Sequence, residues 1–299
     1  MFRNAIEIAS QFTRPVILSR RSANGKCSST IGSYVVINDE GWIVTAGHII
    51  EQIKKLDDET LVARNREIRA AALRNDTNMD SKERRRELAK LGKPKDDETQ
   101  RYSAFWGYYL GAQLVDVAYL QPVDLGIGRL HPFDPVSIKR YPLFKDPSKD
   151  FAPGTSLCKL GYPFHYITPT WDDSRGEFSL PPGSLPLPLF PMDGIFTRTQ
   201  ILQIPPGSPQ PNYPLKRVET STPGLKGQSG GPIFDVKGTI WAIQCITQHL
   251  RLGFDPPVPG GRRGEKEHQF LNSGLGVHPE TIFDLLRERG VNNFQISPY

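Results

Sequence analysis

No stretch of the 299-residue sequence is apolar for long enough to cross a membrane as a helix. The first ten residues, MFRNAIEIAS, also lack the continuous hydrophobic segment of a secretory signal. Cysteine is scarce. Cys27, Cys158 and Cys245 are odd in number and have none of the close spacings that build a zinc site or a disulfide framework. These absences predict a cytoplasmic protein in a reducing compartment, with no metal, no cofactor and no membrane partner. A charge excess of one sign is missing too: 37 Lys and Arg against 32 Asp and Glu leave a formal charge of only +5. No stretch interleaves aromatics with a one-sided basic face, so nucleic acid is not an expected partner. No repeat of fixed period is visible.

What the sequence has in quantity is turn formers, 27 glycines and 27 prolines, which points towards many short strands. The text IGSYVVINDEGWIVTAGHII from Ile31 to Ile50 gives two apolar runs around Asn38–Gly41, a hairpin pattern. Residues 51–101 change character: both signs of charge are dense and Ala and Leu recur at helical spacing, which predicts a solvated helical insertion. Strand composition returns between Tyr108 and Leu130, broken at Pro122, and again over LCKLGYPF at Leu157–Phe164. Proline crowds Leu180–Pro214, predicting mostly loop around one short strand at Gly194–Leu202. GTIWAIQCIT at Gly238–Thr247 reads as a buried strand, Phe254–Gln269 as a polar loop, and HPETIFDLLRERG as a helix that starts at Pro279 and stops at Gly290.

Two short segments carry chemistry. Gly227-Gln228-Ser229-Gly230-Gly231-Pro232 sets a serine on a turn that flanking glycines allow to be sharp, with backbone N–H groups nearby to receive a developing oxyanion. Thr45-Ala46-Gly47-His48 sets a histidine at the end of an apolar strand, a rigid mounting for a general base. A third member would be a carboxylate that holds the imidazole, and two compete for it: Asp116 in DVAYL and Asp124 in DLGIGRL.

TAGH, DLGIGRL and GQSGGP, in that order, resemble the trypsin-like serine proteases, and in particular their HtrA-like bacterial branch. The hairpin before His48, LGYPF, and Gly274-Leu275-Gly276-Val277 are similar to that branch as well. The resemblance implies an all-β fold of two six-stranded antiparallel β-barrels. The N-terminal barrel would occupy about 1–135 around the insertion 51–101, the C-terminal barrel about 150–278, and a helix about 279–290.

It further implies a serine endopeptidase that cleaves protein or peptide substrates through Ser229, His48 and Asp124, the last favoured because it follows a strand by a short turn. The implied oxyanion hole is the backbone N–H of Gly227 and of Ser229. The implied substrate contacts are Pro223 and the strand residues Gln244, Cys245 and Ile246. Because Ser221–Gly224 carries no acid, selection of Lys or Arg at the cleaved bond is not expected, and a neutral or apolar residue is. Gln228 replaces the aspartate that secreted trypsins place before the serine, and, with the sequence running to Tyr299, the PDZ domain usual in HtrA proteases is not expected. Regulation by an activating protein partner, through the charged insertion or the proline-rich excursion, is the matching expectation. A catalytically silent binding module is the alternative reading of the same motifs.

Overall fold

The computed structural model describes residues 1–107, 109, 111–204 and 211–298. The N-terminal half contains α1 (Arg3–Ala9), β1 (Thr13–Ser22), β2 (Cys27–Val36), β3 (Trp42–Ala46), α2 (Gly47–Asn75), α3 (Ser81–Lys90), β4 (Thr99–Phe105), β5 (Gln113–Leu120) and β6 (Leu125–His131). The C-terminal half begins with β7 (Leu143–Phe144), β8 (Ser156–Gly161), β9 (Thr170–Asp172), β10 (Glu177–Ser179), β11 (Phe190–Ile201) and β12 (Lys216–Thr220). It ends with β13 (Pro232–Phe234), β14 (Ile240–Arg251), β15 (Phe270–Val277), α4 (Pro279–Glu288) and β16 (Gln295–Ile296).

The first six strands form one antiparallel sheet in the order β4-β1-β2-β3-β6-β5. In the second half the order β13-β8-β11-β12-β15-β14 returns on itself, because β14 also pairs with β13, so six strands close into a ring. The short β7 and β16 extend it beyond β14. This is the two-barrel trypsin-like fold. One detail departs from two equal six-stranded barrels: among the described residues no ladder joins β4 to β5, and only the second barrel is closed by backbone pairing.

The hairpin before His48 forms as its sequence predicts. Asn38 Oδ1 accepts from the N–H of Glu40 and of Trp42, so a side chain does the work of a backbone turn. Every residue of β3 is buried, which fixes the platform on which the next residues stand. The helical insertion is real but bounded differently from 51–101: α2 starts at Gly47, and Thr99–Arg101 belong to β4, paired with Ser22 and Arg21 of β1. The buried residues of α2 stop at Ala63, and its outer part leaves Ile68 58% exposed, in keeping with its solvated composition. Asp80 caps α3 by accepting from the N–H of Lys82 and Glu83.

The proline-rich excursion differs most from expectation. Where a short strand was predicted at Gly194–Leu202, β11 runs for twelve residues because it has partners on both sides, β8 along Phe190–Ile195 and β12 along Phe196–Ile201. Residues 205–210 of that excursion, and Tyr108 and Leu110 of the predicted strand region before β5, lie outside the described residues. Helix α4 starts at Pro279 with His278 as its N-cap and buries Ile282, Leu285 and Leu286 against the domain core.

Candidate active site

His48 is the second residue of α2, just past the buried end of β3. Two contacts from one carboxylate hold it. Its Nδ1 lies 2.8 Å from Asp124 Oδ2, and its backbone N–H donates to Asp124 Oδ1 at 2.6 Å. Gly47 N–H also donates to the Asp124 carbonyl at 2.9 Å. Asp124 stands between the 3-10 turn Gln121–Val123 and β6 with a left-handed backbone, φ 60°, an uncommon conformation that aspartate tolerates better than most residues.

An ionised carboxylate only accepts, so Nδ1 carries the proton and Nε2 keeps its lone pair for a substrate or a nucleophile. The hydrogen bond to Asp124 is the main cause that raises the His48 pKa above the ordinary histidine range; burial opposes it, and the charges of Asp124 and Glu51 add to it. The imidazole remains 46% exposed while the Asp124 side chain is only 12% exposed. The rival acid, Asp116, is elsewhere: it occupies the bulge of β5 and its carboxylate pairs with Arg129 at 2.7 Å on the surface.

The loop that carries Ser229 is pinned to both barrels. Ser229 O accepts from the N–H of Ser33 on β2 at 2.8 Å, and Gly230 N–H donates to Gln244 O on β14 at 2.7 Å. Gly230 has φ +84°, and a Cβ there would collide with the Ser33 carbonyl and the Thr45 hydroxyl, so glycine alone fits the crossing point. Gly227 O is tied back by Tyr162 N–H at 3.0 Å and by the Ser33 hydroxyl at 2.7 Å.

With that carbonyl turned away, the N–H groups of Gly227 and Ser229 donate to no protein acceptor among the described residues, whereas those of Gln228, Gly230 and Gly231 all do. Two unpaired N–H groups on either side of one residue form a donor pair suited to an oxyanion. Gln228 itself is fully buried beneath the loop. Its Oε1 accepts from Leu225 N–H at 3.0 Å, which explains how a residue other than aspartate serves before the serine.

His48 and Ser229 line one cavity of about 160 Å³, walled by Val16, Leu18, Ile31 and Ile49 and edged by Gln52 and Lys226. Among the described residues no hydrogen bond joins Ser229 Oγ to the imidazole. Such contacts in unliganded sites are commonly long and tighten when substrate binds.

The strand residues Gln244 and Cys245, expected to meet substrate, turn their side chains inward. Gln244 Nε2 donates to the carbonyls of Ile246 and Leu275, and Cys245 Sγ lies 3.1 Å from Leu275 O. The Gln244 backbone is spent on the serine loop as well, its N–H donating to Gly231 O at 2.8 Å and its carbonyl accepting from Gly230 N–H at 2.7 Å, and the Pro223 carbonyl accepts from Lys159 at 2.9 Å. Pro223 and Ile246 are half-buried, and Gln244 and Cys245 are buried. Burial lifts the thiols of Cys158 and Cys245 to about 12, which leaves them unreactive. Among the described residues no group of His, Cys, Asp and Glu could hold a metal ion. Ser33 and Lys159 sit in ordinary strand text, and Tyr162 stands in LGYPF with nothing to announce its contact; only folding brings the three to the serine loop and the segment before it.

A histidine held at a strand end by a half-buried aspartate, lining one cavity with a glycine-flanked serine between two antiparallel barrels, defines a protein of the trypsin-like fold class. The sequence profile described as the trypsin-like peptidase domain matches residues 32–243, and the chain belongs to that family. No curated protein sequence matches it.

Solved structures similar to it include the Rv3671c protease from M. tuberculosis in its active form, 12% identical with a TM-score of 0.49 over 98% of this chain and 86% of that one. The inactive form of the Rv3671c protease is 13% identical, with a TM-score of 0.47 over 96% and 93% of the two chains. An HtrA-type protease, AlgW, with a tripeptide is 13% identical, with a TM-score of 0.45 over 96% of this chain and 63% of that one.

Proposed function

We propose that this chain is a serine endopeptidase that hydrolyses peptide bonds of protein substrates through an acyl-enzyme, with Ser229 as nucleophile, His48 as general base and Asp124 as the group that orients and stabilises the imidazole. The observation that carries the reading is the double grip of Asp124 on His48 in the same cavity as Ser229 and two unpaired N–H groups. In this mechanism Ser229 Oγ attacks the substrate carbonyl carbon while its proton passes to His48 Nε2. The resulting oxyanion is stabilised by the N–H of Gly227 and of Ser229, and the imidazolium by Asp124. The imidazolium then gives its proton to the departing amine, and water repeats the sequence to release the acyl half.

A peptide entering this site would pair with β14. That strand loses its β13 partner after Ile243, so from Gln244 onward one edge faces the serine loop instead of another strand. An activating protein partner that closes His48 onto Ser229 is part of this reading.

The missing hydrogen bond between Ser229 and His48 is what favours the second reading, a catalytically silent binding module. Treatment of the full chain with a fluorophosphonate separates the two. Covalent labelling that disappears in Ser229→Ala supports the protease, and absence of labelling in the presence and absence of peptide favours the module.

A further inference from the structure

The departing half of a substrate has a fixed starting point in this site. Its amide nitrogen takes the proton from His48 Nε2, so it must lie within hydrogen-bond reach of that atom, about 2.6–3.2 Å. With the carbonyl oxygen at the N–H groups of Gly227 and Ser229, the chain on one side of the bond runs towards β14 and the chain on the other side leaves past His48. The cavity that holds both His48 and Ser229 opens on this second side. Among the described residues its walls come from β1, β2, the first two turns of α2 and the start of the serine loop at Lys226 and Gly227, and no residue of β14 or β15 lines it.

The cavity is built for an apolar group. Val16, Leu18, Ile31 and Ile49 are all buried side chains, and they form its wall. The two uncharged polar side chains at its edge turn to each other, Gln52 Nε2 donating to Thr30 Oγ1 at 3.3 Å. A dry apolar cavity of about 150 Å³ takes a group the size of benzene, and this one measures about 160 Å³. Its floor stays open because residue 32 has no side chain. A Cβ on Gly32 would lie 2.5 Å from Ile49 Cδ1 and 3.3 Å from Val16 Cγ1, so Ile49 rests in space that a larger residue would claim.

On the other side of the bond the protein's own side chains take the space. Thr247 on β14 is joined directly to the segment before the serine loop, its Oγ1 accepting from Gly224 N–H at 2.9 Å and donating to Gly224 O at 2.7 Å. A Cβ on Gly224 would lie 2.6 Å from Gln244 Cδ, and one on Gly274, across the ladder from Thr247, would lie 2.5 Å from Lys159 Nζ. Thr247, Gln244 and Lys159 thus fill the gap between this segment and the β14–β15 ladder.

We propose that this site selects its substrates on the departing side: a leucine-sized apolar side chain directly after the cleaved bond enters the cavity, and Val16, Leu18, Ile31 and Ile49 are the specificity-determining residues. The assignment rests on the protease reading for the place of the bond, but not for the preference of the cavity. Burial of such a side chain favours it over alanine by about tenfold or more. A polar side chain of the same size gains less, because its amide or carboxylate finds no partner among the four apolar walls.

Binding and cleavage are measured together on the full chain. Peptides that begin with Leu, Asn or Ala represent the departing half, and calorimetry gives their affinities without any chemistry. Internally quenched peptides with Ala before the bond, to suit the filled side, and Leu, Asn or Ala after it give kcat/KM. The expected result is a preference of at least about tenfold for Leu over both Asn and Ala in each assay, lost in Val16→Phe, whose ring fills the cavity, and weakened in Gly32→Ala, whose methyl pushes Ile49 into it. Each preference is a ratio within one preparation, so partial folding of a variant does not imitate its loss. Equal affinity of the three product peptides for the wild-type chain overturns the proposal, whether or not any peptide is cut. Cleavage with the same kcat/KM for all three overturns it while the protease reading stands. A Leu preference in binding with no cleavage and no fluorophosphonate labelling overturns the protease reading while leaving the cavity as an apolar subsite.

Discussion

Asp124 grips His48 at two points, the ring through Nδ1 at 2.8 Å and the main chain through its N–H at 2.6 Å. One carboxylate therefore sets both the tautomer of the imidazole and the direction in which α2 leaves β3. Replacing Asp124 with Asn keeps the left-handed backbone, which asparagine also tolerates, but presents an N–H₂ group where Nδ1–H needs an acceptor. Peptidase activity is expected to fall by about 10⁴ in kcat with little change in the unfolding midpoint, while Asp116→Asn leaves kcat within about twofold. Steady-state kinetics and thermal melts on the two variants check this.

The same pair sets the pH dependence. Activity needs neutral His48, and its bond to Asp124 raises its pKa, so the acid limb of kcat/KM is expected above the ordinary histidine value of about 6.5. For stability the sign is opposite: a raised folded pKa means that the pair's contribution is complete below the unfolded histidine pKa and disappears as pH rises through the folded one. A pH–rate profile whose acid limb shifts downward in Asp124→Asn is the check.

Ser33 joins the barrels at the oxyanion end. Its hydroxyl donates to Gly227 O at 2.7 Å and its N–H to Ser229 O at 2.8 Å. Ser33→Ala leaves the second bond and removes the first, freeing the Gly227 peptide to turn. Labelling of Ser229 by a fluorophosphonate is expected to slow by about tenfold or more, with a loss of about 0.5–1.5 kcal/mol in unfolding free energy from the one hydrogen bond removed, since Tyr162 N–H still donates to the Gly227 carbonyl. Labelling at the wild-type rate would mean that Tyr162 alone secures the loop.

Lys159, 1% exposed and bonded only to neutral oxygens among the described residues, leaves a stability signature. Its folded pKa of about 7 lies below the ordinary lysine range, so the unfolded chain binds the extra proton between roughly pH 7 and pH 10, and folding becomes more favourable across that interval. Comparison with Lys159→Met isolates the effect. The difference in unfolding free energy between the two chains is expected to change by a few kcal/mol, on the order of 1.4 per pKa unit, between pH 6 and pH 10. Parallel curves would show that the amine titrates alike in both states. Urea titrations at several pH values measure it.

Local order made much of this protein legible. The short apolar runs, the Asn38–Gly41 turn, the Pro279 start and the glycine-flanked turn at Ser229 are written in neighbouring residues, because their physics is short-range: dihedral preference, side-chain capping and strand composition. For the same reason Ser229 and His48 stood out, each in a distinctive setting of glycines or of a buried strand end. The length of β11 was hidden, since a proline-rich stretch becomes a twelve-residue strand only when β8 and β12 supply partners on both sides.

The choice between Asp124 and Asp116 could be weighed from resemblance, but the contact itself is a matter of which strand end curls towards β3 and which bulge turns out to Arg129. Lys159 was invisible for a related reason. A lysine inside LCKLGYPF looks like a surface residue of an edge strand until the second barrel closes around it and leaves its charge without a partner. The sequence by itself determined several strands and turns and singled out Ser229 and His48 as candidate reacting groups, because these depend on adjacent residues. The tertiary structure alone decided which acid meets the histidine, which N–H groups stay unpaired and which cation lies beneath the serine loop, because each of these depends on groups brought together from distant parts of the chain.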